Sequence, residues 1–178
     1  MSEVPTRVVL VGFMGAGKSA VGACLAERLG YQFEDMDQRI EERTGRTIAA
    51  LFEERGEETF RKEERREAAA LARLDRRVVA AGGGAFVHPR TRAILREDAL
   101  TVWLRCDLET LLGRIPDDGA RPLAGNRAIM RALLAEREPS YRQADLAVDT
   151  SEGTPQEVAD RIVDLIERST AIGRPSER

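Results

Sequence analysis

The chain has 178 residues, the size of one compact domain, and with 42% hydrophobic and 33% charged residues it fits neither a disordered segment nor a membrane bundle. Lys plus Arg number 28 against 31 Asp plus Glu, a formal net charge of −3, so no bulk positive field exists to hold nucleic acid or an anionic bilayer, and neither is expected as a partner. Of the 28 basic residues, 26 are arginines and only Lys18 and Lys62 are lysines, a skew expected of a GC-rich genome that leaves each lysine in need of a reason.

In chain order, the apolar periodicity predicts a strand at 8–11, a helix at 18–29, a strand at 31–34 and helices at 38–44, 48–54 and 57–74. A strand at 78–81, a helix at 89–96, a strand at 100–105 and helices at 108–114 and 128–141 follow. A strand at 146–148 and a helix at 155–168, with Thr154 as its cap ahead of Pro155 at the first helical position, complete the set. Short apolar runs alternating with longer amphipathic ones are the mark of βαβ units, so the expected fold is α/β: five parallel strands flanked by helices in three layers. Residues 115–125, rich in Gly, Pro and Asp, are too polar for a core and are expected to form a mobile loop, and 171–178 a flexible tail. The N-terminal stretch has neither a basic start nor a long apolar run, and Cys24 and Cys106 lack the tight spacing of a metal site or disulfide framework. Reduced thiols in a cytoplasmic protein are expected.

Gly12-Phe13-Met14-Gly15-Ala16-Gly17-Lys18-Ser19 matches G-x-x-x-x-G-K-[ST] between a predicted strand and a predicted helix, the context that a phosphate-binding loop requires. Glycines let backbone N–H groups approach phosphate oxygens without a Cβ in the way, and the helix N-terminus adds partial positive charge. Lys18 can then reach the β and γ phosphates as a point charge, and the Ser19 hydroxyl can ligate Mg²⁺. In a chain that so strongly prefers arginine, a lysine here argues that a guanidinium would not serve.

Ligands of an open parallel sheet sit outside the carboxyl ends of its strands. The phosphate loop, Asp35-Met36-Asp37 and Gly82-Gly83-Gly84 each follow a predicted strand, so a parallel fold brings all three to one rim. Taken alone, Asp37 reads as the N-cap of the helix at 38–44 and the glycines as a flexible connector. Beside a Mg²⁺-phosphate loop, one carboxylate gains the task of organising the metal and its waters, and the other of accepting the proton or hydrogen bond of an attacking hydroxyl. Arg61, in Glu57-Glu58-Thr59-Phe60-Arg61-Lys62-Glu63-Glu64, reads on its own as part of a surface helix with an i,i+4 pair to Glu57. His88 reads as a cap or surface residue, Trp103 as strand packing, and Arg65-Arg66 as a solvated helix face.

As a whole the pattern resembles the shikimate kinases, a family within the P-loop nucleoside monophosphate kinase-like group, over residues 8 to about 166. The likeness rests on the residues quoted above together with Phe60-Arg61, Arg121-Pro122-Leu123 and Arg137-Glu138-Pro139-Ser140-Tyr141, in the family's order. It implies a single kinase domain, with a substrate-binding segment at about 36–62 and a lid at 115–125, that moves the γ-phosphoryl group of ATP to the 3-hydroxyl of shikimate on the route to chorismate. By motif match Lys18, Asp37 and Arg121 would be catalytic. Gly15, Ala16, Gly17, Lys18, Ser19, Ala20, Arg114, Arg121 and Pro155 would hold ATP, and Asp37, Arg61, Gly82, Gly83, Gly84 and Arg137 would hold shikimate. Ser19 and Asp35 would serve Mg²⁺. A monomer is expected. The sequence departs from the family's pattern at Ser151-Glu152-Gly153, which is short of donors for the nucleotide, at Ser140, and at Asp117-Asp118, which make the lid acidic.

Two other readings stay open on the residues alone: a gluconate or nucleotide kinase of the same fold, and a nucleotide-binding module without transfer. Lys18→Ala is expected to lose most turnover, a cost of roughly several kcal/mol of transition-state stabilisation; near-normal turnover in a steady-state assay would remove Lys18 from the mechanism.

Overall fold

Strand β1 (Arg7–Val11) is apolar at four successive positions because both of its faces are covered, and Val8, Val9, Leu10 and Val11 are at most 1% exposed. In this computed structural model, which describes residues 5–115 and 127–172 and side chains as far as residue 169, β1 is the middle strand of a five-stranded sheet. The order is β2-β3-β1-β4-β5, with β2 Gln32–Asp35, β3 Arg77–Ala80, β4 Leu100–Arg105 and β5 Leu146–Asp149, and all pairs are parallel. The expected α/β architecture is therefore present, and seven helices flank the sheet within the described residues: α1 (Lys18–Leu29), α2 (Met36–Thr44), α3 (Ile48–Leu71), α4 (Pro89–Arg96), α5 (Leu108–Arg114), α6 (Arg127–Tyr141) and α7 (Pro155–Ile172). Leu10 pairs with Ala80, and Ala80 with Asp35, so the loops leaving β1, β2 and β3 emerge side by side.

Several boundaries differ from the sequence expectation for local reasons. Tyr31 is not in the second strand: its N–H bonds Ala26 O at 2.8 Å as part of the cap around Gly30, which ends α1, while its hydroxyl donates to Pro5 O at 2.9 Å. The cap of α2 is Asp35 rather than Asp37, since Asp35 Oδ1 accepts from the N–H groups of Asp37 and Gln38 at 3.0 and 3.2 Å, and the helix starts two residues earlier than predicted. The predicted helices at 48–54 and 57–74 form one run, broken inside by Gly56 at φ 78°, ψ 168°, and end at Leu71. Thr154 does cap α7, in a reciprocal pair with Glu157: Glu157 N donates to Thr154 Oγ1 at 3.2 Å and Thr154 N to Glu157 Oε2 at 2.7 Å. Arg121 and all but Ile115 of the predicted loop 115–125 lie outside the described residues; of the tail expected at 171–178, Ala171 and Ile172 instead belong to α7, and the rest lies outside the described residues.

The main core fills the space between sheet and helices and includes Trp103, as expected, with its ring 6.3 Å from that of Tyr141. A separate small core of Ile40, Leu51 and Phe60, backed by Ile48, joins α2 to α3. Gly12 shows how closely the first loop is seated. A Cβ there would stand 2.7 Å from the Leu104 carbonyl oxygen of β4, and its φ of 146° lies where side chains are strained. Gly12→Ala is accordingly expected to lower stability by about 1–3 kcal/mol, read as a reduced thermal or denaturant midpoint, because backbone on the neighbouring strand cannot move aside.

Candidate active site

The phosphate-loop sequence forms the turn between β1 and α1, with Gly15 at φ 80° and Gly17 at φ 94° as the left-handed residue before α1. Lys18 Nζ donates to the carbonyls of Gly12 and Phe13 at 2.8 and 2.9 Å, so the ammonium is folded back over the loop. Ser19 and Ala20 lie exposed in the first turn of α1. The Ser19 hydroxyl donates to Asp35 Oδ2 at 2.6 Å, while the other oxygen of that carboxylate caps α2. Behind the loop, Thr150 Oγ1 donates to Ala16 O at 3.0 Å, and Arg114 Nη2 reaches the Thr150 carbonyl at 2.6 Å. Arg114 is thereby tied to the loop's flank, and Pro155 opens α7 a few residues after Thr150.

The other predicted residues converge on the loop after β3. A Cβ on Gly82 would lie 2.7 Å from Asp37 Oδ1 and 3.1 Å from Glu64 Oε1, one on Gly83 would lie 3.4 Å from Arg137 Nη1, and one on Gly84 would lie 2.6 Å from Arg61 Nη1. The three glycines thus leave room for two carboxylates and two guanidiniums, with Gly83 also 3.7 Å from the Met14 amide nitrogen of the phosphate loop by the same measure. The structure therefore brings together Asp37, Arg61, Gly82, Gly83, Gly84 and Arg137, and sets them against the phosphate loop.

Arg61 is more than the surface pair that its sequence context suggests. It holds exposed Glu57 at 3.1 Å, as read from the i,i+4 spacing, but also Glu64 at 2.8 Å, and Glu64 is 1% exposed at its side chain. Its guanidinium lies 5.2 and 5.9 Å from the rings of Phe60 and Phe52, which stack on each other. Arg137 lies 5.6 Å from the ring of Phe13. Burial pushes the Glu64 carboxyl up from its ordinary range, Arg61 pulls it down, the Asp37 charge raises it, and its Oε1 has no hydrogen-bond partner among the described residues. Tyr141, fully buried, donates to Gly83 O beside Arg137, and burial pushes its phenol up to about 12. His88 is the residue before α4, as expected, yet makes no side-chain capping bond; burial and then the charge of Arg61 lower its pKa, with Arg137 acting in the same direction.

Glu64, Tyr141 and Thr150 went unassigned by sequence reasoning. The first two carried a signal: Glu64 follows Arg61 by three residues and Tyr141 follows Arg137 by four, spacings that share a helix face. Thr150 carried none, since its partner Ala16 is 134 residues away. Lys62 is explained by an exposed pair with Glu58.

A phosphate loop at the carboxyl edge of a parallel 2-3-1-4-5 sheet, faced by a charged cradle, defines a P-loop kinase. The shikimate kinase family profile matches residues 14–167. Shikimate kinases of Cereibacter sphaeroides and Geobacter sulfurreducens are each 44% identical to the chain, over 91% of it and 83% of the first relative, and over 90% of it and 90% of the second. The solved structure of shikimate kinase from Acinetobacter baumannii in complex with shikimate superposes with a TM-score of 0.88 at 38% identity, covering 92% of this chain and 93% of that one. The chain belongs to the shikimate kinase family of ATP-dependent kinases.

The Glu64 environment sets a pH dependence. Its folded pKa is raised above the ordinary 4.5, so its contribution to stability is complete below about 4.5 and is lost as pH rises through the folded value. Glu64→Gln, neutral throughout, is expected to lack that loss. The variant's thermal midpoint relative to the parent should therefore increase from pH 4.5 toward neutrality, and parallel profiles would contradict a raised carboxyl at this position.

Proposed function

We propose that the chain phosphorylates the 3-hydroxyl of shikimate from ATP, giving shikimate 3-phosphate and ADP for chorismate and aromatic amino acid synthesis. The observation that carries this reading is the cradle over Gly82, Gly83 and Gly84, where Arg61 and Arg137 supply two forked cations and Asp37 a carboxylate. A small anionic triol needs that combination: guanidiniums for its carboxylate and an acceptor for its hydroxyls.

Phosphoryl transfer needs in-line positioning and charge compensation more than covalent chemistry. The amides of Gly15, Ala16, Gly17, Lys18, Ser19 and Ala20 surround the phosphates in this reading, with Lys18 supplying charge to the transferring group and Arg114 and Pro155 flanking the base. Asp37 holds the attacking hydroxyl or takes its proton; a loose transition state asks for either. Gly82, Gly83 and Gly84 admit the ring close to the backbone. By motif match alone, Arg121 adds a further cation from a lid at 115–125.

Mg²⁺ fits the residues present. Ser19 Oγ and Asp35 Oδ2 are adjacent hard oxygen donors, and among the described residues there is no larger cluster of acids, His or Cys that would demand another metal. Such a sparse protein contribution suits an ion that keeps several waters and takes its remaining ligands from phosphate. When bound, the ion neutralises charge on the phosphate oxygens. The small core of Ile40, Leu51 and Phe60 supports treating 36–62 as one substrate-binding unit. We take the protein to act as a cytoplasmic monomer. Among the described residues its large exposed apolar side chains, Phe52 and Ile129, are scattered, and no helix is long and apolar enough to cross a membrane.

A coupled assay with ATP, with and without Mg²⁺, against shikimate, gluconate and nucleoside monophosphates tests the proposal; shikimate turning over no faster than the others would overturn it. Arg137→Ala is expected to weaken shikimate binding roughly 10- to 100-fold, as for a lost charged hydrogen bond, with ATP affinity little changed. Equal loss of both would reassign Arg137.

A further inference from the structure

A buried hydroxyl stands behind each of the two substrate loops. Tyr141, at the end of α6 and fully buried, donates to Gly83 O and is in hydrogen-bond contact with Arg137, one turn back on the same helix. Thr150, 2% exposed just after β5, donates to Ala16 O, and its own carbonyl accepts from Arg114. The arrangement is the same twice over: one residue fixes a loop carbonyl and, beside it, an arginine assigned to a substrate.

The consequence follows from peptide geometry. In a planar trans peptide the C=O and the following N–H point in opposite directions, so a hydroxyl that draws a carbonyl into the core turns the next N–H outward. For Tyr141 the N–H belongs to Gly84, and for Thr150 to Gly17. Both peptides contain glycine, whose backbone flips at little steric cost, so the alternative orientation is close in energy unless something opposes it. A flipped plane would also turn the peptide N–H into the core, leave Tyr141 without its acceptor, and leave Thr150 only the longer bond to Arg105 O at 3.3 Å.

We infer that Tyr141 and Thr150 are positioning residues which lock the Gly83–Gly84 and Ala16–Gly17 peptide planes, Tyr141 serving the acceptor and Thr150 the nucleotide, each independently of the other. The acceptor half rests on the function proposed above; the nucleotide half rests only on the phosphate loop.

Tyr141→Phe removes one oxygen and keeps the ring against Trp103, and Thr150→Val removes the hydroxyl at nearly constant shape. Steady-state kinetics with both substrates varied should give a crossed pattern. For Tyr141→Phe, KM for shikimate should rise about 5- to 10-fold, as for one lost neutral hydrogen bond, with KM for ATP within about twofold. Thr150→Val should do the reverse, and Thr150→Ser should return KM for ATP toward the parent value. Since the phenol stays protonated up to about 12, the Tyr141→Phe effect should be constant across pH 6 to 9. Both variants raising both KM values alike, or neither raising either, overturns the inference. If Thr150→Val does not fold, direct binding of a non-hydrolysable ATP analogue to Thr150→Ser and Thr150→Ala reads the same contrast, and equal affinities reject the role of Thr150. A parent enzyme inactive on shikimate overturns the proposed function while leaving the nucleotide half to be decided by that binding measurement.

Discussion

Four charged side chains approach Gly82, Gly83 and Gly84 so closely that a Cβ on any of these residues would stand between 2.6 and 3.4 Å from a charged atom. The charges need that proximity. Glu64 is buried, and the cost of taking a carboxylate from water is offset chiefly by Arg61 at 2.8 Å, with the charge of Arg137 acting in the same direction. A methyl group on Gly84 would displace the Arg61 guanidinium and so disturb the compensation of Glu64. A methyl group on Gly82 would meet both Asp37 and Glu64. The segment reads in sequence as a flexible connector, but its small residues are the condition for a dense charged site.

The two acids that hold Arg61 differ in kind. Glu57 is 63% exposed at its side chain, and its pairing with Arg61 is of the sort that contributes little, because water and salt compete for both partners. Glu64, at 1%, has no water to retreat to. On the function proposed above, an arriving carboxylate would replace Glu57 on the outer edge of the guanidinium fork while Glu64 keeps the inner edge fixed. Phe60 and Phe52 limit the swing of the same group from the side. Arg61 is thus oriented before any ligand arrives, which reduces the ordering cost of binding.

What the chain order alone disclosed was whatever depends on local spacing. The phosphate loop, the limits of α1, α4, β4 and α5, and the capping of α7 all follow from motifs spanning a few residues, and each is found where expected. Strand β2 was read one residue early because Tyr31 is apolar, whereas the hydrogen bond from its N–H belongs to the end of α1. Asp35 and Asp37 both look like caps, and only the fold decides that Asp35 serves the cap with one oxygen and Ser19 with the other. Glu64 sits in a run of charge where nothing local marks it as buried; Gly82 of the loop after β3 and Asp37 of α2 come to it from distant parts of the chain. Thr150 depends on contacts across the sheet and is silent in sequence.

The surplus of arginine takes on a meaning that composition could not supply. Arg7, 3% exposed, donates to the carbonyls of Ala72 and Leu74 after α3 and of Glu97 after α4, near the amino edge of the sheet. Arg92 binds the carbonyls of Phe86 and Val87, and Arg114 that of Thr150. Loop and helix ends leave such carbonyls without backbone partners, and a planar fork with five donors reaches two or three of them at once. Glu67 draws Arg39 and Arg43 together in the same fashion, tying α2 to α3. A lysine is a poorer substitute in each of these places, because it offers a point charge on a flexible stem. Lys18 is the converse case: its ammonium is a compact point charge that bonds the carbonyls of Gly12 and Phe13 together. The same skew that makes arginine the structural glue of this fold accordingly sets Lys18 apart as a point charge held on the phosphate loop's own carbonyls.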